Sequence, residues 1–145
     1  MKVPTLPQWE LKNYTKEEHC LAKAIYFETY QKPEEAKLDV AWVLLNRQGD
    51  LRFPAYMCEI IQQTGQFPWT RRTITDMKEY LSALGVSYRM LSRLEWNDPT
   101  KGAQYFASKE DGWFYSMIAK GHLVLTHSRH GHRFYRWDDK KKHYE

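Results

Sequence analysis

Nowhere in this 145-residue chain does an apolar stretch approach the length needed to cross a bilayer. The opening Met1-Lys2-Val3-Pro4-Thr5-Leu6-Pro7 has no apolar core of the kind that directs export, so synthesis in the cytoplasm without a cleaved leader is expected. Cysteine is scarce. Cys20 and Cys58 are too few for a disulfide framework and have no Cys-x-x-Cys spacing, which excludes the common zinc modules. They form either one bridge, in a protein that works somewhere oxidising, or two buried thiols. There is no internal repeat and no linker, and the length suits one domain, residues 1–145, rather than two.

What is present is a globular composition, 42% apolar and 28% charged. Aromatics make up 15%, with six Trp and ten Tyr, a density that serves a core and also supplies surfaces on which sugars and bases stack. The net charge of +4 favours an anionic partner, whether nucleic acid, membrane surface or cell-wall polymer.

The hydrophobic pattern predicts a mainly helical α+β domain with a small C-terminal sheet. An N-terminal arm (1–14) precedes a helix from about Lys16 to Phe27 or just beyond. Pro33 opens a second helix whose Ala36–Leu45 stretch is apolar nearly all round, hence central, and Gly49 ends it. A short helix begins at Phe53-Pro54 and carries Met57, Ile60 and Ile61. The stretch from Thr64 to Thr70 reads as an ordered loop. Helical patterns follow over Thr75–Leu84 and Val86–Trp96, separated at Gly85, and then turn chemistry from Asn97 to Gly102. Ala103–Ala107, His122–His127 and His132–Trp137 read as strands, the last two joined through Ser128-Arg129-His130-Gly131 as a hairpin. A charged tail (138–145) closes the chain.

One residue stands out in this frame. Leu21, Ala24, Ile25 and Glu28 fall on one face of the first helix, so a carboxylate continues an apolar stripe. An unpaired carboxylate is costly to bury. Glu28 therefore has a partner, or sits at a cleft edge with the raised pKa that general acid catalysis requires, or the helix frays at Thr29-Tyr30-Gln31 and leaves it in water.

Two other groupings bear on chemistry. His127, His130 and His132 have near-ligand spacing, and zinc amidases combine such histidines with an acid. Two of the three flank or occupy a hairpin turn, so a solvated basic hairpin is the expected outcome and no metal or other cofactor is expected. Arg129, Arg133, Arg136 and Lys140–Lys142, interleaved with Phe134, Tyr135 and Trp137, suit a non-catalytic module tracking nucleic acid or anionic cell envelope.

The segment Cys20-Leu21-Ala22-Lys23-Ala24-Ile25-Tyr26-Phe27-Glu28 resembles the opening motif of the SleB/CwlJ-type cell wall hydrolases. Further blocks resemble that family in the same order. These are Val40-Ala41-Trp42-Val43-Leu44-Leu45-Asn46-Arg47, Phe53-Pro54 with Cys58, Gln66-Phe67-Pro68-Trp69-Thr70, Asp98-Pro99-Thr100-Lys101-Gly102-Ala103-Gln104-Tyr105-Phe106 and Gly131-His132-Arg133-Phe134-Tyr135-Arg136. The resemblance spans about residues 19 to 136. It departs after Glu28, where Thr29-Tyr30-Gln31-Lys32 replaces the usual alanine-arginine-glycine-glutamate, so a second acid is absent or shifted to Glu34. Pro68 also stands where serine is common.

The resemblance implies a lysozyme/lytic-transglycosylase-like helical domain with a C-terminal β-hairpin or three-stranded sheet. It implies cleavage between N-acetylmuramic acid and N-acetylglucosamine in peptidoglycan glycan strands, with Glu28 as the catalytic acid. Phe67, Trp69, Tyr105 and Tyr135 are candidate sugar platforms, and Gln66 and Thr70 candidate hydrogen-bonding groups. His132 faces the cleft or, as preferred, serves structure, and Asp98 in its turn is read as structural. The expected setting is a monomeric phage lysin, either an endolysin released through holin pores or a virion component. It would touch anionic envelope through its basic hairpin and tail, with no nucleic-acid partner. A zinc-dependent amidase or peptidase and a basic binding module are the alternatives.

Overall fold

In a computed structural model, which describes residues 13–63, 72–95 and 97–138, the first helix, α1 (Lys16–Glu28), begins at its capping box. Thr15 Oγ1 accepts from the Glu18 amide at 3.1 Å, and the Glu18 carboxylate accepts from the Thr15 amide at 2.7 Å. The second helix, α2 (Glu34–Gln48), starts one residue later than expected, with Pro33 as its cap, and stops at Gly49. The third, α3 (Met57–Gln62), is too short to hold itself together and is fastened to α1 twice. The Glu17 carboxylate accepts from the free amides of Met57 and Cys58, both at 2.8 Å, and a disulfide joins Cys20 to Cys58. Of the two cysteine readings, the bridge is the one found.

The fourth helix, α4 (Met77–Leu91), corrects the expectation of a break at Gly85. Gly85 costs a helix about 1 kcal/mol relative to alanine. Its neighbours Ala83, Leu84, Val86 and Met90 are buried, and Ser87 donates to the Glu18 carbonyl at 2.7 Å. Packing on α1 therefore carries the helix through the glycine. The turn at Asn97–Gly102 is organised by Asp98, which accepts from the amides of Thr100 and Gly102 and from the side chains of Thr100 and Asn46.

Strands β1 (Tyr105–Ala107), β2 (Leu123–Arg129) and β3 (His132–Trp137) form an antiparallel sheet in the order β1-β3-β2. The β2–β3 hairpin closes at His130 and Gly131, with φ of 52° and 81°, the paired positive values of a tight two-residue turn. Between β1 and β2 lies a helix the sequence reading missed, α5 (Gly112–Ala119), capped by Asp111 on the Phe114 amide at 3.1 Å. Its residues are too uniformly apolar to show a helical period.

Directly opposed residues share a sheet face. Phe106 opposes Phe134, on the face that packs against Val43 and the helical core. Tyr105, Tyr135 and Leu125 form a row across the other face, where α5 lies. The core is built by α1, α2, α3 and α4. Among the described residues no helix is long and apolar enough to cross a membrane.

The central helix departs from its expected character. It is buried as anticipated, but it carries three charged residues in that burial, Lys37 (3% exposed), Asp39 (0%) and Arg47 (3%). Each reaches a different part of the molecule. Lys37 takes the chain that follows α1. Asp39 takes Arg129 of β2 in a two-pronged bond, both prongs 2.7 Å. Arg47 donates to the Gln104 carbonyl at 2.7 Å beside the rings of Phe53 and Tyr105.

Candidate active site

Glu28 is the last residue of α1. Leu21, Ala24 and Ile25 below it are fully buried, and Glu28 is half-buried, so the apolar stripe meets solvent at this carboxylate. The helix does end there, as one reading had it, but the side chain is not left wholly in water. The C-terminal end of a helix carries the negative pole, and the last turn of α1 contains no basic residue.

The chain leaves α1 through a turn that is held on every side. The Thr29 hydroxyl and amide both donate to the Ile25 carbonyl, at 2.5 and 3.0 Å, and Gln31 adopts a left-handed φ of 61°. The Lys37 ammonium donates to the carbonyls of Thr29 (3.3 Å) and Lys32 (3.0 Å) and pairs with Glu79 of α4 at 3.3 Å. The Tyr30 phenol donates to Asp76 at 2.8 Å. That bond holds the Asp76 carboxyl below the usual range, and the same partner pushes the phenol up to about 12.

Lys32 follows in the same turn, and its Nζ lies 3.3 Å from His132 Nε2. Burial first, and then the Lys32 charge, pushes His132 down to about 4, so near neutral pH it is uncharged and Nε2 accepts from the ammonium. The hairpin tip closes on the same turn. A Cβ at Gly131 would come within 3.5 Å of Lys32 Nζ, and Arg129 and His130 both reach Glu35.

The other predicted site residues fall in several places. Gln66, Phe67, Trp69 and Thr70 lie outside the described residues. The chain flanking that block lies against α1: α3 through Cys58 and Glu17, and Thr75 and Asp76 through amides donated to the Tyr26 phenol at 3.3 and 3.0 Å. Arg72 stacks on the Phe27 ring. His132 is buried edge-on to Phe106, with its Nε2 against the Lys32 ammonium. Tyr105 and Tyr135 sit across the sheet from His132. Tyr105 packs among Phe53, Trp113 and Arg47, while Tyr135 lies under Phe114 and donates to Glu110. The structure does not gather these two tyrosines with the Glu28 turn.

The three histidines weighed as metal ligands address three different partners. His127 faces Asp39, His130 faces Glu35 and His132 faces Lys32. Among the described residues, Glu17, Cys20 and Cys58 come within ion-binding distance of one another, and both thiols are in the disulfide. The hairpin is less available as a cationic patch than its sequence suggests, because Arg129 is paired with Asp39 and Glu35, and Arg133 with Glu110. Of the candidate second acids, Glu34 is 61% exposed and paired with Arg89, and Asp98 is engaged in its turn.

Sequence reasoning missed Lys37 as a site-building residue, although a charge in an all-round apolar helix is the same anomaly that singled out Glu28. Lys32 and Glu79 had no comparable local signal, because their partners are distant in sequence.

With this geometry in place, the chain compares with known proteins as follows. It matches the family model for cell wall hydrolases over residues 31–135, a span that begins just past Glu28. Its fold is similar to the catalytic domain of the germination-specific lytic transglycosylase SleB from Bacillus anthracis, with a TM-score of 0.67 and 20% identity over 90% of this chain and 100% of that one. It is likewise similar to the catalytic domain of the Bacillus cereus SleB protein, with a TM-score of 0.61 and 20% identity over 92% and 95%. No curated protein matches it.

Replacing Lys37 with methionine keeps the length of the side chain and removes its charge, leaving the Lys32 carbonyl without that donor, the Thr29 carbonyl with the Lys32 amide alone, and Glu79 without its countercharge. The expected result is a loss of about 3 kcal/mol in urea-unfolding stability. Retention of stability within experimental error would show that the ammonium does not hold the turn. His132 gives a pH signature of defined sign. Unfolded, it binds a proton near its ordinary value of 6.5, but folded only near 4, so over that interval the unfolded chain holds the extra proton. Its contribution to stability is full above pH 6.5 and falls as the pH drops towards 4. A His132→Asn variant should show a shallower slope of stability against pH in that window.

Proposed function

The chain belongs to the cell wall hydrolase family, and from that premise we propose that it is a peptidoglycan glycosidase acting as a lytic transglycosylase with Glu28 as its acid and base. The bond cut is that between N-acetylmuramic acid and N-acetylglucosamine. Glycoside cleavage conventionally takes two carboxylates. Here one suffices, because a hydroxyl of the substrate itself takes the place of water. Glu28 protonates the glycosidic oxygen and the bond to the anomeric carbon breaks. The resulting carboxylate then accepts the proton of the muramyl 6-hydroxyl as that oxygen closes on the anomeric carbon. The product is a 1,6-anhydro ring, and Glu28 is returned protonated.

The observation that carries this reading is the position of Glu28. It ends an otherwise buried apolar stripe at the C-terminus of α1, half-buried where the core meets solvent, and the mechanism requires it to carry its proton there before the bond breaks. A lysine at position 32 and the engagement of Glu34 and Asp98 elsewhere further support a one-carboxylate mechanism. Lys37, Thr29 and His132 hold the turn that follows Glu28 and so fix where the acid points. Gln66, Phe67, Trp69 and Thr70 are proposed to line the glycan groove. The biological setting proposed is a monomeric phage lysin that meets the wall after holin-mediated release or from the virion.

Glu28→Gln keeps the shape of the side chain and removes the transferable proton. Clearing of purified sacculi should fall by at least about a thousandfold with an unchanged circular dichroism spectrum, in keeping with the loss of both acid and base assistance. Expressed inside a Gram-negative cell, the parent protein should lyse it only once the inner membrane is opened, and the variant should not lyse it at all. Near-parental clearing by Glu28→Gln would remove Glu28 from the mechanism.

A further inference from the structure

Three aromatic residues around the end of α1 meet the segment that leads into α4. Arg72 lies over the Phe27 ring, 5.4 Å from its centre. The Thr75 and Asp76 amides donate to the Tyr26 phenol, and the Tyr30 phenol donates to Asp76 at 2.8 Å. Tyr30 is the exposed member of the three, at 42%, and stands two residues after Glu28. A lone exposed tyrosine is ordinary, but Tyr30 is held at three points. Its backbone belongs to the turn pinned by Thr29 and Lys37, its ring meets that of Tyr26 at 5.5 Å and 66°, and its hydroxyl is engaged by Asp76. Asp76 is fixed in turn, because its other oxygen caps α4 on the Glu79 amide at 3.1 Å. The ring has thus given up its freedom before any ligand arrives, and it is still open to solvent.

The chemistry of the ring and its surroundings selects the ligand. With its hydroxyl engaged, Tyr30 offers a flat π face rather than a hydrogen-bonding group. The charges about it are of both signs. Asp76 and the Glu79–Lys37 pair lie on the side of α4, with Lys78 exposed in the first turn of that helix. Arg72 is exposed beside Phe27, and Glu28 and Lys32 belong to the turn itself. So mixed a neighbourhood does not select an ion. It suits a neutral ligand with a flat apolar side, and a pyranose is one, since its C–H groups can lie on an aromatic ring while its hydroxyls point outwards. Two residues of chain span at most about 7 Å, so the ring reaches a sugar at or next to the bond that Glu28 would cut.

We propose that Tyr30 is a platform on which one N-acetylated hexosamine of the glycan strand stacks beside the acid, and that Asp76 is its positioning residue. The proposal rests on the reading of Glu28 as the acid and adds a binding residue to it. The test measures initial rates of clearing by the full chain against sacculus concentration. Tyr30→Ser should raise the apparent KM about tenfold with kcat little changed, the mark of binding lost equally from ground state and transition state. Tyr30→Phe and Tyr30→Trp keep a ring and should stay near the parental KM. Asp76→Ser still supplies a cap for α4 but is too short to reach the phenol, and should raise KM by a smaller factor, again at constant kcat. In Glu28→Gln protein, which leaves the glycan uncut, adding Tyr30→Ser should weaken co-sedimentation with sacculi to the same degree. A parental KM in Tyr30→Ser or in Asp76→Ser would overturn the proposal, as would equal losses in Tyr30→Ser and Tyr30→Phe. So would a fall in kcat alone, which would make Tyr30 a support of the turn. A parent that clears no sacculi, yet co-sediments with them only when the ring is present, would count against the lytic reading and leave the platform standing.

Discussion

A buried charge must find a partner, and the architecture follows from where three of them found theirs. Lys37, Asp39 and Arg47 lie within α2, the helix at the centre of the fold, at positions almost free of water. An isolated charge there would be prohibitively costly, so each position in α2 dictates the placement of a second element. Lys37 draws in the turn after α1 and the first turn of α4. Asp39 fixes the hairpin through Arg129, and Arg47 fixes the chain entering β1 through Gln104. Apolar packing alone would bring these elements together without setting their register. The ion pairs and charge-assisted bonds set it, and removing one partner of any of them strands the other.

The Glu28 turn is the product of that arrangement. Its backbone is held by Lys37 from below and its side by His132 from the hairpin, which is itself anchored through Arg129. The general acid proposed at Glu28 would work only from a fixed position, and a turn of this length has no rigidity of its own. The rigidity is supplied by α2 and the sheet. The same logic explains how a lysine is accommodated at position 32. Its cation has a neutral imidazole to receive it, and that imidazole is kept neutral by its burial in the sheet face.

How much of this was legible in the sequence differs between local and distant effects. The capping box of α1, the bounds of α2 and the β2–β3 hairpin were readable, because each is written in residues a few positions apart. The order of family-like blocks was readable too, and the fold bears out the helical domain with its small sheet. Gly85 misled, since its local cost was visible but the packing of Leu84, Val86 and Ser87 on α1 was not. Helix α5 was missed because a run with no polar residues at helical spacing has no period to detect. In the site, Glu28 announced itself by contrast with its own helix. The residues that hold its turn did not, because Lys32 meets a histidine one hundred positions away and Arg129 an aspartate ninety away. Tyr105 and Tyr135 were read as groove aromatics from their place in the family-like blocks, and only the strand register shows that they share the opposite sheet face with α5.

The account rests on one carboxyl group carrying out glycosidic cleavage without an activated water. Mass spectrometry of the fragments released from purified sacculi measures this directly, because the two chemistries differ by one water in the terminal muramyl residue. Anhydro-muramyl ends throughout the digest are the predicted result. Reducing muramyl ends would mean that water is the acceptor and that a second group activates it, and free stem peptides with intact glycan would mean that the protein does not cut the sugar backbone at all.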